Sequence, residues 1–134
     1  MTTQLIAKYY GAFNARDYAG MLALLSPDVV HDVNQGGREH GLPAFREFLL
    51  RMDAAYREQI EDLVVLIDSS GKRAAAEFIV AGTYLKADPG FPAARGQTYR
   101  LPAGAFFAID AGRIQRVTTY YNLQDWLAQV SKAS

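Results

Sequence analysis

Leu24-Leu25-Ser26-Pro27-Asp28-Val29-Val30-His31-Asp32-Val33-Asn34 is where this chain stops reading as helix and begins to read as sheet. Upstream of it, Leu5, Ile6, Tyr9, Tyr10 and Phe13 recur at spacings of three and four, which predicts an amphipathic helix over 3–14 with one buried stripe. Asp17 is placed to cap a second helix carrying Met21, Leu22, Leu24 and Leu25, and Ser26-Pro27-Asp28 ends that helix. The valine-rich run from Asp28 to Asn34 then reads as a strand. Inside it, Asp32 is flanked by valines, an environment in which a charged carboxylate is costly without a partner or a proton. Asp32 is therefore the first candidate for a general base, with His31 beside it as base or proton relay.

Downstream, Asn34 to Gly41 is a polar, glycine-containing loop, and Pro43 suits the first turn of a third helix whose apolar face is Phe45, Phe48, Leu49, Met52 and Tyr56. The rest is strand-like: 63–67, 74–85, 99–109 and 114–121 are rich in β-branched and aromatic residues. Gly71-Lys72 and Asp110-Ala111-Gly112 are compact reversals that suggest antiparallel hairpins. The Pro/Gly segment Ala87 to Ala94 is long enough to hang over a cavity mouth, and 123–130 reads as a last helix with Trp126 and Leu127 packing inward. Helices followed by antiparallel strands predict one α+β domain over 1–134, in which three N-terminal helices cover a strongly curved, mostly antiparallel sheet shaped as a cone-like barrel.

Composition narrows the function classes. The 134 residues are half hydrophobic and carry 14 basic and 14 acidic side chains, so no net field favours nucleic acid or an anionic membrane surface. There is no cysteine, hence no disulfide, thiolate metal site or cysteine nucleophile. The first residues lack a basic region followed by an apolar run, and no apolar run is bilayer-length, so a cytoplasmic location is expected. The two histidines, His31 and His40, match no familiar zinc spacing, and Gly36-Gly37 is no phosphate loop, so neither a metal nor another cofactor is expected.

Three segments carry a family resemblance: Tyr9-Tyr10-Gly11-Ala12-Phe13-Asn14-Ala15-Arg16-Asp17, Leu24 to Asp32, and Gly41-Leu42-Pro43-Ala44-Phe45-Arg46-Glu47-Phe48. In this order they resemble the nuclear transport factor 2-like superfamily, in particular its ketosteroid isomerase-related and SnoaL-like branch. That superfamily holds isomerases, polyketide cyclases, dehydratases, epoxide hydrolases and noncatalytic members, so the resemblance implies a fold more sharply than an activity. It implies that Tyr9 stands where ketosteroid isomerase carries its oxyanion-hole tyrosine. Counting back from Gly41, Asp32 stands where that enzyme has its base; counting forward from Asp28, Val33 does. The isomerase's third group, a neutral carboxylic acid, maps near Ala105, and the late aspartate of SnoaL-like cyclases maps near Thr119.

These readings converge on a small apolar, oxygenated ligand in a closed cavity. Asp32, Tyr9 and His31 are the expected catalytic residues of a proton-transfer isomerase, cyclase or dehydratase. Thr119 and Tyr121, on one face of the last strand, and Phe78, Val80, Tyr84, Ala105 and Phe107 are expected to line the ligand's walls. A noncatalytic ligand-binding or dimerisation module and an epoxide hydrolase-like enzyme are the alternatives. Thr118, Tyr120, Phe106 and Ala108 fall on the opposite face, which is apolar enough to be a homodimer surface. If Asp32 is buried in the cavity, its pKa rises and Asp32→Asn should stabilise the fold.

Overall fold

The computed structural model describes residues 1–132. Helix α1 (Thr2–Asn14) buries Ile6, Tyr9 and Tyr10, and α2 (Tyr18–Ala23) is capped as expected, the Asp17 carboxylate accepting the Gly20 N–H at 2.9 Å. Strand β1 (Leu25–Asp32) pairs with the short β2 (Arg38–His40), and α3 (Leu42–Ala55) follows with Pro43 in its first turn. Strands β3 (Tyr56–Ile67), β4 (Arg73–Tyr84), β5 (Thr98–Asp110) and β6 (Arg113–Tyr121) form an antiparallel meander, closed by α4 (Leu123–Val130). The result is an α+β fold with a six-stranded curved sheet of order β2-β1-β6-β5-β4-β3, in which only the β1–β6 pairing is parallel. Bulges between Glu61 and Val64 and between Ala108 and Ile109 help it curve. Among the described residues no helix is long and apolar enough to cross a membrane.

The core lies between the helices and the inner sheet face. Ile6, Tyr10, Phe45 and Leu49 from the helices pack with Phe78, Phe107 and Val117 from the strands, burying large apolar area that supplies most of the driving force. The free edge of β3 is tied to α1 by Asn14, whose side chain donates to the Ile60 carbonyl at 3.0 Å and accepts the Ile60 N–H at 2.8 Å. One amide thus substitutes for a neighbouring strand at an otherwise open edge.

Three boundaries differ from the sequence reading. Strand β1 starts at Leu25 rather than Asp28, and the polar loop contains β2. The larger difference is β3, which begins at Tyr56 instead of Leu63. Tyr56, Glu58 and Ile60 turn inward while Arg57 and Gln59 are exposed, so the period is two. The alternation is masked because one of its inward residues is a glutamate.

Candidate active site

A cavity of about 400 Å³ opens between α1, α3 and the inner sheet face. Tyr9, Phe13, Phe45 and Phe48 line it from the helices, Phe78, Val80 and Leu101 from the sheet, and Trp126 from α4. Asp88 and Phe91 of the Pro/Gly segment also line it, so that loop does border the opening. Tyr84 fastens the loop: its hydroxyl donates to the Pro92 carbonyl at 2.6 Å and accepts the Asp88 N–H at 3.0 Å.

Tyr9, His31, Thr119, Tyr121, Phe78 and Val80 all reach this cavity. Burial pushes the Tyr9 phenol above its ordinary pKa, so it stays protonated and can donate. His31 is 4% exposed and packs against the Phe45 and Phe48 rings, with centroids at 4.6 and 4.5 Å. Its burial lowers its pKa to about 4, with the Arg51 charge lowering it further and Asp32 opposing, so the imidazole is neutral at pH 7.

Asp32 does not reach the cavity. Val29, His31 and Val33 share the inward parity of the chain, and Asp32, paired in register with Thr118, turns to the outer face. There its carboxylate accepts Arg38 Nε at 2.6 Å and Nη2 at 3.1 Å, and the Thr118 hydroxyl donates to it at 2.6 Å. The Arg38 hydrogen bonds are the main reason its pKa is lowered to about 2; partial burial opposes, and Thr118 and the charges of Arg38 and Arg116 assist. The expected raised pKa is therefore reversed in sign. Of the expected wall residues, Tyr84, Ala105 and Phe107 belong to the packed core instead. Tyr84 is covered by Tyr56, stacked at 5.4 Å, and by Trp126, edge-on at 5.1 Å. Phe107 is covered by Tyr9 and Tyr10, and the Ala105 methyl, in register with Ala76 and Thr119, is too short to project past its neighbours.

Of the carboxylates that line the cavity, Asp53 is taken up by Tyr18 and Arg16 and Asp88 by Tyr56, and Glu58 is the one on the inner sheet face. It stands in a cross-strand row Glu58–Gly82–Tyr99 spanning β3, β4 and β5. A Cβ at Gly82 would collide with the Tyr99 ring; its absence lets that ring lie across β4 so that the phenol donates to Glu58 Oε2 at 2.6 Å. Burial raises the Glu58 pKa, and the Tyr99 hydrogen bond only partly offsets this. Burial and then the Glu58 charge and hydrogen bond hold Tyr99 well above the ordinary phenol range. Around this pair, the Tyr56 hydroxyl donates to Asp88 at 2.9 Å, and the Tyr121 phenol is raised by burial and by the charges of Glu58 and Asp88, with Asn34 opposing. Asn34 Oδ1 accepts the Tyr121 N–H at 3.3 Å, and its buried Nδ2 faces the Tyr121 phenol, whose pKa it lowers, without closing a short hydrogen bond. The signal that could have found Glu58 is the period-two pattern from Tyr56 to Ile60 together with Gly82 inside a strand, since an interior strand glycine often marks a close approach. Among the described residues no three His, Cys, Asp or Glu side chains cluster to hold a metal.

An apolar chamber bearing one carboxyl of raised pKa, several protonated phenols and an amide donor can move a proton on a small organic molecule and hold the oxygen where charge develops. The fold and this chamber define a class, small α+β proteins with a cavity between helices and a curved sheet. The chain belongs to the SnoaL-like domain family, whose pattern matches residues 6–117. It is similar to a crystal structure from Pseudomonas putida described as a "putative polyketide cyclase", with 55% identity, 98% of each chain covered and a TM-score of 0.96. Structures from Xanthomonas campestris (55% identity, 97% of this chain and 96% of that one, TM-score 0.95) and a Silicibacter species (50%, 98% and 96%, TM-score 0.96) carry the same description. No curated protein sequence matches the chain.

Proposed function

We propose that the protein is a proton-transfer enzyme for a small, apolar, oxygenated compound, acting by cyclisation, isomerisation or dehydration. The observation that carries this reading is the Glu58 carboxyl, bonded to Tyr99 at 2.6 Å and presented to a chamber that is otherwise largely apolar. Glu58 takes a proton from a carbon or hydroxyl of the substrate and returns it to another atom, and the raised pKa brings its proton affinity nearer neutral pH. Asn34 Nδ2 and the Tyr9 phenol are the donors for the substrate oxygen. The description shared by the three similar structures favours cyclisation within this class.

The test is solvent exchange on an enolisable apolar ketone such as 2-tetralone in D2O, followed by NMR. The intact protein should exchange the α-protons faster than buffer, and Glu58→Gln should lower that rate by about 100-fold or more, the range a general acid–base group supplies. Equal rates with and without protein, or full activity of Glu58→Gln, overturn the reading.

We also propose that a second copy covers the outer sheet face. Phe106 and Tyr120 are 49% and 57% exposed there, with ring centroids 6.0 Å apart, and Leu66, at 60%, lies in the cross-strand row of Phe106. Thr118, expected on this face, is buried beneath the Asp32–Arg38 pair, while Ala108 is partly exposed. An isologous contact would bury these rings against themselves. Sedimentation at micromolar concentration should show a dimer that Phe106→Asp dissociates; a monomeric parent contradicts it.

A further inference from the structure

We infer that Glu39 is a positioning residue for His31, fixing the imidazole so that Nε2 faces the cavity as an acceptor for a substrate hydroxyl or acidic C–H. This rests on the cavity being the ligand site. His31 and Glu39 are direct cross-strand partners in the β1–β2 ladder, so both side chains leave the same face. His31 Nδ1 and Glu39 Oε1 lie 3.8 Å apart, and each is a buried polar atom with no hydrogen-bond partner. The two orphaned atoms are complementary in type and face each other, and such contacts in unliganded sites are commonly longer than a closed hydrogen bond.

The tautomer follows from charge. A neutral imidazole carries one N–H; with Nδ1–H aimed at the Glu39 carboxylate, Nε2 keeps its lone pair. The alternative tautomer would set the Nδ1 lone pair against a carboxylate oxygen and bury two acceptors together. Phe45, tilted at 35°, and Phe48, edge-on at 79°, pack against the ring from directions about a right angle apart and limit its rotation. Nε2, at the far side of the ring from Glu39, is not sealed as Nδ1 is, and His31 belongs to the cavity wall. The charges that shift the ring's pKa are Asp32 on its own strand and Arg51 from α3, whose guanidinium lies over the Phe48 ring at 5.5 Å, while Glu39 is placed beside Nδ1 by geometry.

The consequence is a site with two proton-handling groups on different strands, Glu58 on β3 and His31 on β1. A proton leaving a substrate O–H or C–H for Nε2 leaves an imidazolium paired with Glu39; its return to another substrate atom restores the starting state, with no oxidant or reductant required. The ligand chemistry implied is a hydroxyl or enol donor toward His31 and a carbonyl oxygen toward Asn34.

Long-range nitrogen–proton NMR of the imidazoles tests this directly, because the chain has only two histidines and His40→Gln assigns the pair. At pH 7.5 His31 should be the Nδ1–H tautomer, Glu39→Ala should convert it to Nε2–H, and Glu39→Gln, whose amide oxygen still accepts, should preserve it. An Nε2–H ring in the parent, or an Nδ1–H ring unchanged in Glu39→Ala, overturns the inference. Binding of the fluorescent phenol 2-naphthol should weaken about tenfold in Glu39→Ala and recover in Glu39→Gln; equal affinity in all three proteins counts against a hydroxyl acceptor. The tautomer is read without turnover, so a Glu58→Gln protein that still exchanges protons would sink the proposed reaction while leaving this result standing.

Discussion

Asp32 and Glu58 are both carboxylates on strands, and their surroundings have opposite effects on them. Asp32 leaves the outer face of β1 and meets Arg38 and Thr118, which favour its charge; Glu58 leaves the inner face of β3 and meets an apolar chamber and one phenol, and its charge is disfavoured. Apolar neighbours in sequence therefore say little about the medium a strand carboxylate occupies. The face decides, because adjacent residues of a strand point into different environments only a few ångströms apart.

The largest effect on stability should come from the inner face. His31 is neutral in the folded protein down to about pH 4, whereas an unfolded chain protonates it near its ordinary value of 6.5. The unfolded state then binds the extra proton, so stability falls as pH drops through that window, by at most about 3 kcal/mol from this group. Denaturation at pH 7.5 and pH 4.5 should show a steeper loss for the parent than for His31→Gln; parallel losses would mean the imidazole is not desolvated. Next in size, Gly82→Ala should cost about 2 kcal/mol through overpacking against the Tyr99 ring and should lower proton exchange as well, since the phenol can no longer lie across β4 to Glu58. Unchanged stability and exchange would mean that Tyr99 reaches Glu58 without needing the space.

The same contrast explains what was legible in the sequence. Helices α1 and α4 and strands β4, β5 and β6 were readable because their apolar periods are long and clean, and the cavity faces of Tyr9, Thr119 and Tyr121 follow from those periods. The orientation of Asp32 was not, because valines occupy both parities around it: in β1 Val29 is buried and Val30 is half-buried on the other side, and just past the strand Val33 lines the cavity. With apolar residues on both faces, alternation carries no information about which is inside. Its partner Arg38 sits on β2, a three-residue strand too short to show a period. Glu58 escaped notice for the converse reason, a polar residue at an inward position that makes a strand read as helix end and loop.

The most direct measurement is the thermal midpoint of Asp32→Asn and Glu58→Gln beside the parent at pH 7. Asp32 has a lowered folded pKa, so its charge contributes stability above the ordinary carboxylate range that is lost as pH falls toward 2; neutral Asn forfeits it, and the midpoint should drop by a few degrees. Glu58 has a raised folded pKa, so its contribution is lost as pH rises through that value. Neutral Gln, still able to accept from Tyr99, avoids the loss, and the midpoint should rise. Opposite shifts support the assignment of the two faces; a rise for Asp32→Asn together with a fall for Glu58→Gln would contradict it.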